Sequence, residues 1–173
     1  GGRVRVGIPR GLLYYEYYLM WKTFFEEMGA EVVVSEPTNA AAVASGCARL
    51  SAEICLPVRV FCGHALSLVN KCDCLFIPSV QSVEKKVHSC PKFIGLPDLI
   101  RASIPDCPHI LDPDIDINKG EKELWQTAYR VGHGFHLNRE QVRKAAWKAF
   151  RAHREHLTQM CVGKLTIPQA ILR

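Results

Sequence analysis

The chain has 173 residues, 48% of them hydrophobic, and a formal net charge of +5. That length buries a core without disulfide staples, and a charge this small, much of it in residues 139–154, argues against nucleic-acid binding. No apolar run reaches the roughly 18–20 residues of a membrane span and no charged-then-apolar leader opens the sequence, so the eight cysteines read as reduced thiols of a cytoplasmic, reducing or anaerobic interior, not a secreted disulfide framework.

Residues 3–9 form a first predicted strand, closed by the turn Pro9-Arg10-Gly11. A helix over 12–28 follows, with Leu13, Tyr17, Met20, Phe24 and Met28 at helical spacing and Gly29 as its stop. The aromatic run from Tyr14 to Trp21 is expected to pack, not to bind a cofactor. Residues 31–35, rich in valine, form the second strand. Thr38 or Asn39 caps a short alanine-rich helix reaching about residue 46, and a further helix spans 57–71. A third strand at 74–78 leads into a polar loop at 79–89. Pro91 opens a helix over 91–103, a short strand follows at 110–112, and two helices at 119–131 and 139–157 come next. Strands alternating with helices predict a mostly parallel sheet with helices on both faces. The α/β domain is assigned to 3–157. Residues 158–173, apolar and containing Pro168, read as a tail or the truncated start of a further element.

Two cysteines stand apart by context. Cys90 directly precedes Pro91, and Cys55 lies two residues before Pro57. Proline favours the first helical position, so both thiols fall at helix starts, where free N–H groups favour thiolate, the form that binds metal or acts as nucleophile. The basic loop Glu84-Lys85-Lys86-Val87-His88 follows the third strand, and Arg10 and Gly11 follow the first. Ligands of open α/β sheets gather beyond strand carboxyl ends. Arg10, Gly11, Lys85, Lys86 and Cys90 are therefore expected to converge on a cleft for an anionic ligand or cluster. Cys72 and Cys74 are expected to be buried, Cys62 and His64 to point to different faces, and Cys107 and Cys161 have no partner motif. The pairs His133/His136 and His153/His156 are expected to face solvent. No dinucleotide, Walker, nucleophile-elbow or zincin motif is present.

These residues carry a resemblance. The strings Gly7-Ile8-Pro9-Arg10-Gly11-Leu12-Leu13-Tyr14-Tyr15-Glu16-Tyr17, Cys55-Leu56-Pro57-Val58 with Gly63-His64, Ser82-Val83-Glu84-Lys85-Lys86 and Cys90-Pro91-Lys92-Phe93 with Gly95-Leu96-Pro97-Asp98 occur in that order. Over about residues 4–157 the chain resembles the uncharacterised domain of proteins related to the activases of 2-hydroxyacyl-CoA dehydratases. That family is distantly similar to the cluster-carrying dehydratase subunits. The resemblance implies a flavodoxin-like or Rossmann-like α/β fold and an iron–sulfur cluster, [4Fe-4S] or double-cubane, ligated by Cys55 and Cys90. It further implies a third cysteine in a later half-domain and an activase-type ATPase that delivers electrons.

The expected function is thus an iron–sulfur-binding domain of an ATP-linked electron-transfer system. Arg10, Lys85 and Lys86 are electrostatic neighbours of an anionic group and His64 stands behind them. The expected partners are the activase-type ATPase domain or the remaining half of a longer chain, with a homo-oligomer open and no nucleic acid or membrane involved. Two alternatives remain at this level: a cluster-free binding or assembly module, and a thiol enzyme using Cys90 with His88.

Overall fold

The computed structural model describes residues 2–163 and residue 166. Four short strands, β1 (Arg5–Ile8), β2 (Glu31–Val34), β3 (Cys74–Phe76) and β5 (His109–Leu111), form one sheet in the order β2-β1-β3-β5. Every pairing is parallel, with Val6 opposite both Val32 and Cys74, and Leu75 opposite Ile110. Two further strands, β4 (Ser79–Ser82) and β6 (Asp114–Asp116), pair in parallel just beyond the ends of β3 and β5. Strand side chains alternate between faces, and the core divides accordingly. Val6, Ile8, Cys74 and Phe76 face one layer, built by α1 (Tyr14–Glu27), α6 (Glu121–Gly134) and α7 (Arg139–Gly163). Leu75, Ile77 and Ile110 face the other, built mainly by α3 (Leu56–Leu66) and α5 (Leu96–Ser103). Helices on both faces of a parallel sheet in this order give the flavodoxin-like α/β topology expected from the alternating pattern.

The differences from the sequence reading are local and physical. Residues 79–82, expected as loop, form β4. Val80 is the single apolar residue of the four, so no hydrophobic run marks a strand here, but Val80 is buried and the hydroxyl of buried Ser82 donates to Asp116 Oδ1 at 2.6 Å, which fixes this strand to β6. The helix expected over 91–103 breaks into α4 (Pro91–Ile94) and α5, joined at Gly95. Helix α2 (Ala40–Arg49) is capped by Asn39, whose Oδ1 accepts from Ala42 N–H at 2.9 Å, which leaves Thr38 free for another contact. Helix α7 continues to Gly163, past the expected end near Leu157.

Helices α2 and α3 cross with almost no space between their backbones. A Cβ on Gly46 would overlap the carbonyl oxygen of Arg59, and one on Gly63 would overlap that of Ala42. Only glycine at both positions permits this approach. The crossing matters to the site because it holds α3, and with it His64, against the loop that follows β2.

Candidate functional site

Crossovers from β1 and from β3 leave on opposite faces of the sheet, so the turn after β1 sits where the strand order reverses, the position at which open α/β sheets collect ligands. That turn holds Arg10 and Gly11. The Gly11 N–H donates to the Pro9 carbonyl at 3.0 Å, and the Gly11 carbonyl accepts from Tyr14 N–H at 3.1 Å. Leu12 adopts a left-handed φ of 54°, a conformation that costs a branched side chain energy and persists only when its surroundings impose it. Gly11 packs on the Phe61 ring of α3.

A buried polar cluster supports this turn. The Arg10 N–H donates to Ser35 Oγ at 2.8 Å, and Ser35 Oγ lies 2.9 Å from His64 Nδ1. The other ring nitrogen, His64 Nε2, lies 2.9 Å from Thr38 Oγ1. His64 is 0% exposed. Burial and then the Arg10 charge push its pKa below the ordinary histidine value, so the ring is neutral at pH 7. A neutral imidazole has one donor and one acceptor, and a hydroxyl serves either, so both nitrogens are satisfied. The Arg10 guanidinium stands over the Tyr14 ring, 5.5 Å from its centroid, and its Nε is buried without a partner among the described residues. Burial raises the Tyr14 phenol to about 12, with Arg10 acting in the opposite sense.

The structure thus joins Arg10 to His64 and places Gly11 against α3. Ser35 and Thr38, which complete the cluster, were not singled out from the sequence as site residues. The available signal was a hydroxyl residue directly after the carboxyl end of a valine-rich strand.

Cys55 and Cys90 are both exposed and both occupy the residue before a helix, α3 and α4 respectively, with proline in the first turn. Their backbones match: φ −57°, ψ 144° for Cys55 and φ −55°, ψ 138° for Cys90. Neither side chain makes a capping hydrogen bond. The residue before Cys90 is tied to β4 by the Ser89 N–H donating to the Gln81 carbonyl at 2.8 Å. The other side of the cysteine inventory is the core. Cys62, Cys72 and Cys74 are buried, and burial raises all three thiols, Cys74 to about 11.

Lys85 and Lys86 are exposed on the loop after β4. Lys86 has a left-handed φ of 66°, and its N–H donates to Asn118 Oδ1 at 2.7 Å, so this loop docks on the 3-10 turn Ile117–Lys119. Glu84 of the same loop lies close enough to Tyr17 to act on it, after burial and Glu16, in raising its pKa. His88 lies near Asp116, whose carboxyl is held low first by the Ser82 hydroxyl. Among the described residues no group of three or more His, Cys, Asp and Glu side chains gathers as a metal site.

The expectation that His153 and His156 face solvent is corrected. His156 is buried, and His153 is half-buried with its ring 5.3 Å from Tyr17 and its Nδ1 buried without a partner among the described residues. The cause is the antiparallel packing of α7 on α1, which turns positions 142, 145, 146, 149, 153 and 156 inward along one stripe.

Fold and edge cluster together define a flavodoxin-like α/β domain with a prepared loop at its strand-reversal point. The chain belongs to the family of the CoA enzyme activase uncharacterised domain, whose model matches residues 5–170. No curated protein and no solved structure matches it. Among the described residues no helix is long and apolar enough to cross a membrane.

Proposed function

We propose that this domain contributes Cys55 and Cys90 as ligands to an iron–sulfur cluster, [4Fe-4S] or double-cubane, in an ATP-linked electron-transfer system related to acyl-CoA dehydratase activation. The observation that carries the reading is the matched setting of the two thiols: exposed, uncommitted to any cap, and in the same backbone conformation before a proline-opened helix. Cluster ligands are thiolates, and the buried thiols, pushed up by desolvation, are poor candidates.

Two thiols fit part of a cubane's ligand set. The remaining ligands come from outside the described residues, from a further part of the same protein or from a partner. When bound, the cluster supplies one-electron transfer. Arg10, with an unpartnered buried Nε, and the exposed Lys85 and Lys86 are the cations that balance its negative charge. His64 acts through Ser35 to hold the Arg10 backbone. An activase-type ATPase is the electron-donating partner this reading requires.

The test is anaerobic reconstitution with iron and sulfide, followed by absorption and EPR spectroscopy. The expected result is a cluster signal in the wild type that Cys55→Ala and Cys90→Ala each abolish. No signal in the wild type, or a signal in both variants as strong as in the wild type, overturns the reading.

A further inference from the structure

Helices α6 and α7 approach closely near their shared turn. A Cβ on Gly132 would overlap Cγ2 of Val142, a buried residue of α7, so glycine sets how near the two helices come. Val142 also lines a pocket of about 480 Å³ between them, within the range of roughly 300–1,000 Å³ typical of small-molecule sites. Its α6 wall is Gln126, Tyr129, Arg130 and His133, spaced i, i+3, i+4 and i+7 and so on one stripe of the helix. Arg139, the first residue of α7, supplies the facing side.

The lining is cationic. It holds two arginines and a histidine, and no acidic side chain among the described residues. Arg139 lies over the Tyr129 ring, 5.5 Å from its centroid, and that ring is stacked 6.0 Å from Trp125. The aromatic pair thus braces the guanidinium. Arg130 Nη2 lies 3.3 Å from Glu123 Oε1, an ion pair in which the arginine side chain is 64% exposed. Exposed pairs hold weakly, so this one yields to a more strongly charged anion.

Two arginine charges match a phosphoryl group, which carries about −1.5 to −2 at pH 7, better than they match the single charge of a carboxylate. Arginine is also the side chain whose fork of N–H donors suits phosphate oxygens, and the start of α7 adds the positive end of a helix dipole. We propose that this pocket binds a small phosphate-bearing molecule through Arg130, His133 and Arg139. The site belongs to the α1/α6/α7 layer, on the other face of the sheet from α3 and Cys55, and it needs no cluster.

Proton–nitrogen correlation spectra of the 173-residue chain test this, with titrations of inorganic phosphate, adenosine monophosphate and acetate at an ionic strength held constant with chloride. The expected result is saturable shifts of the Tyr129, Arg130, His133 and Arg139 amides with either phosphate compound, and weaker binding of acetate. A tighter response to the nucleotide assigns the site to phosphate esters, and an equal one to the phosphoryl group alone; both uphold it. Arg130→Gln and Arg139→Gln are each expected to weaken binding about tenfold or more. Glu123→Gln is expected to tighten it, and Arg143→Gln, on α7 outside the pocket, to leave it unchanged, all with wild-type far-UV circular dichroism. Shifts that do not saturate, acetate bound as tightly as phosphate, Arg139→Gln binding no worse than Arg143→Gln, or a loss of binding in Glu123→Gln overturns the proposal.

Discussion

Ser35 Oγ lies 2.9 Å from His64 Nδ1 while accepting the Arg10 N–H at 2.8 Å. One hydroxyl therefore ties three segments together: the turn after β1, the end of β2 and helix α3. The turn contains a left-handed Leu12, so its conformation depends on being held from outside. The cluster supplies that hold with neutral hydrogen bonds inside the protein, where an unmade bond costs more than a made one gains.

Ser35→Ala is expected to destabilise the domain by about 1–3 kcal/mol, because it leaves the Arg10 N–H and one His64 nitrogen unpartnered in a buried setting. Thr38→Ala removes a partner that is itself exposed, and water replaces it, so its effect is smaller. Urea unfolding of the two variants against wild type checks the order. Equal losses would show that Ser35 does not hold the turn.

Acid is expected to weaken the fold in a defined window. Burial lowers the pKa of both His64 and His153 in the folded state. The unfolded chain then binds protons at these sites first, and stability rises with pH wherever the unfolded state binds more protons. The stabilisation is complete above the unfolded histidine pKa of about 6.5 and is lost progressively as pH falls from there toward the folded values. Unfolding free energies at pH 8, 6.5 and 5 give the slope, and His153→Phe, which keeps a ring beside Tyr17, is expected to flatten part of it. A stability independent of pH across this range contradicts neutral burial of these rings.

Gly46→Ala and Gly63→Ala are each expected to cost 1–3 kcal/mol or more, the range for overpacking, since the added Cβ overlaps a backbone carbonyl of the facing helix and not a movable side chain. Because the crossing seats α3 against Ser35, the same variants are expected to increase hydrogen exchange at the Arg10 amide. Thermal midpoints and exchange rates read the two effects separately. A stable Gly63→Ala protein would mean that the helices separate freely.

Much of this architecture was legible in the chain. Valine-rich 31–34 and the apolar period of 14–27 give strand and helix without ambiguity, and the glycine and proline turns between them fix the alternation that dictates a parallel sheet. The helix-start placement of Cys55 and Cys90 followed from Pro57 and Pro91. What was not legible depends on tertiary partners. Residues 79–82 become β4 because Asp116 comes to meet Ser82. His153 and His156 are inward because α7 packs antiparallel to α1, a choice that helical spacing alone does not make. The Ser35–His64 contact spans 29 positions, and no local pattern announces it.

The thiols provide the sharpest separation between framework and candidate ligand. Cys62, Cys72 and Cys74 are buried with raised thiol pKa values, so at pH 8 they are both inaccessible and protonated. Cys55 and Cys90 are exposed with side chains that cap nothing. Thiolate and access together set alkylation rate. Native iodoacetamide labelling followed by peptide mass spectrometry is expected to modify Cys55, Cys90 and the exposed Cys161, and to reach the three buried thiols only with denaturant. Reconstitution with iron and sulfide before labelling is then the discriminating step. Protection of Cys55 and Cys90, with Cys161 still labelled, is the pattern that ligation predicts. Protection of none leaves the two as reactive surface thiols and removes the cluster reading. Uniform protection of all three points to aggregation rather than ligation.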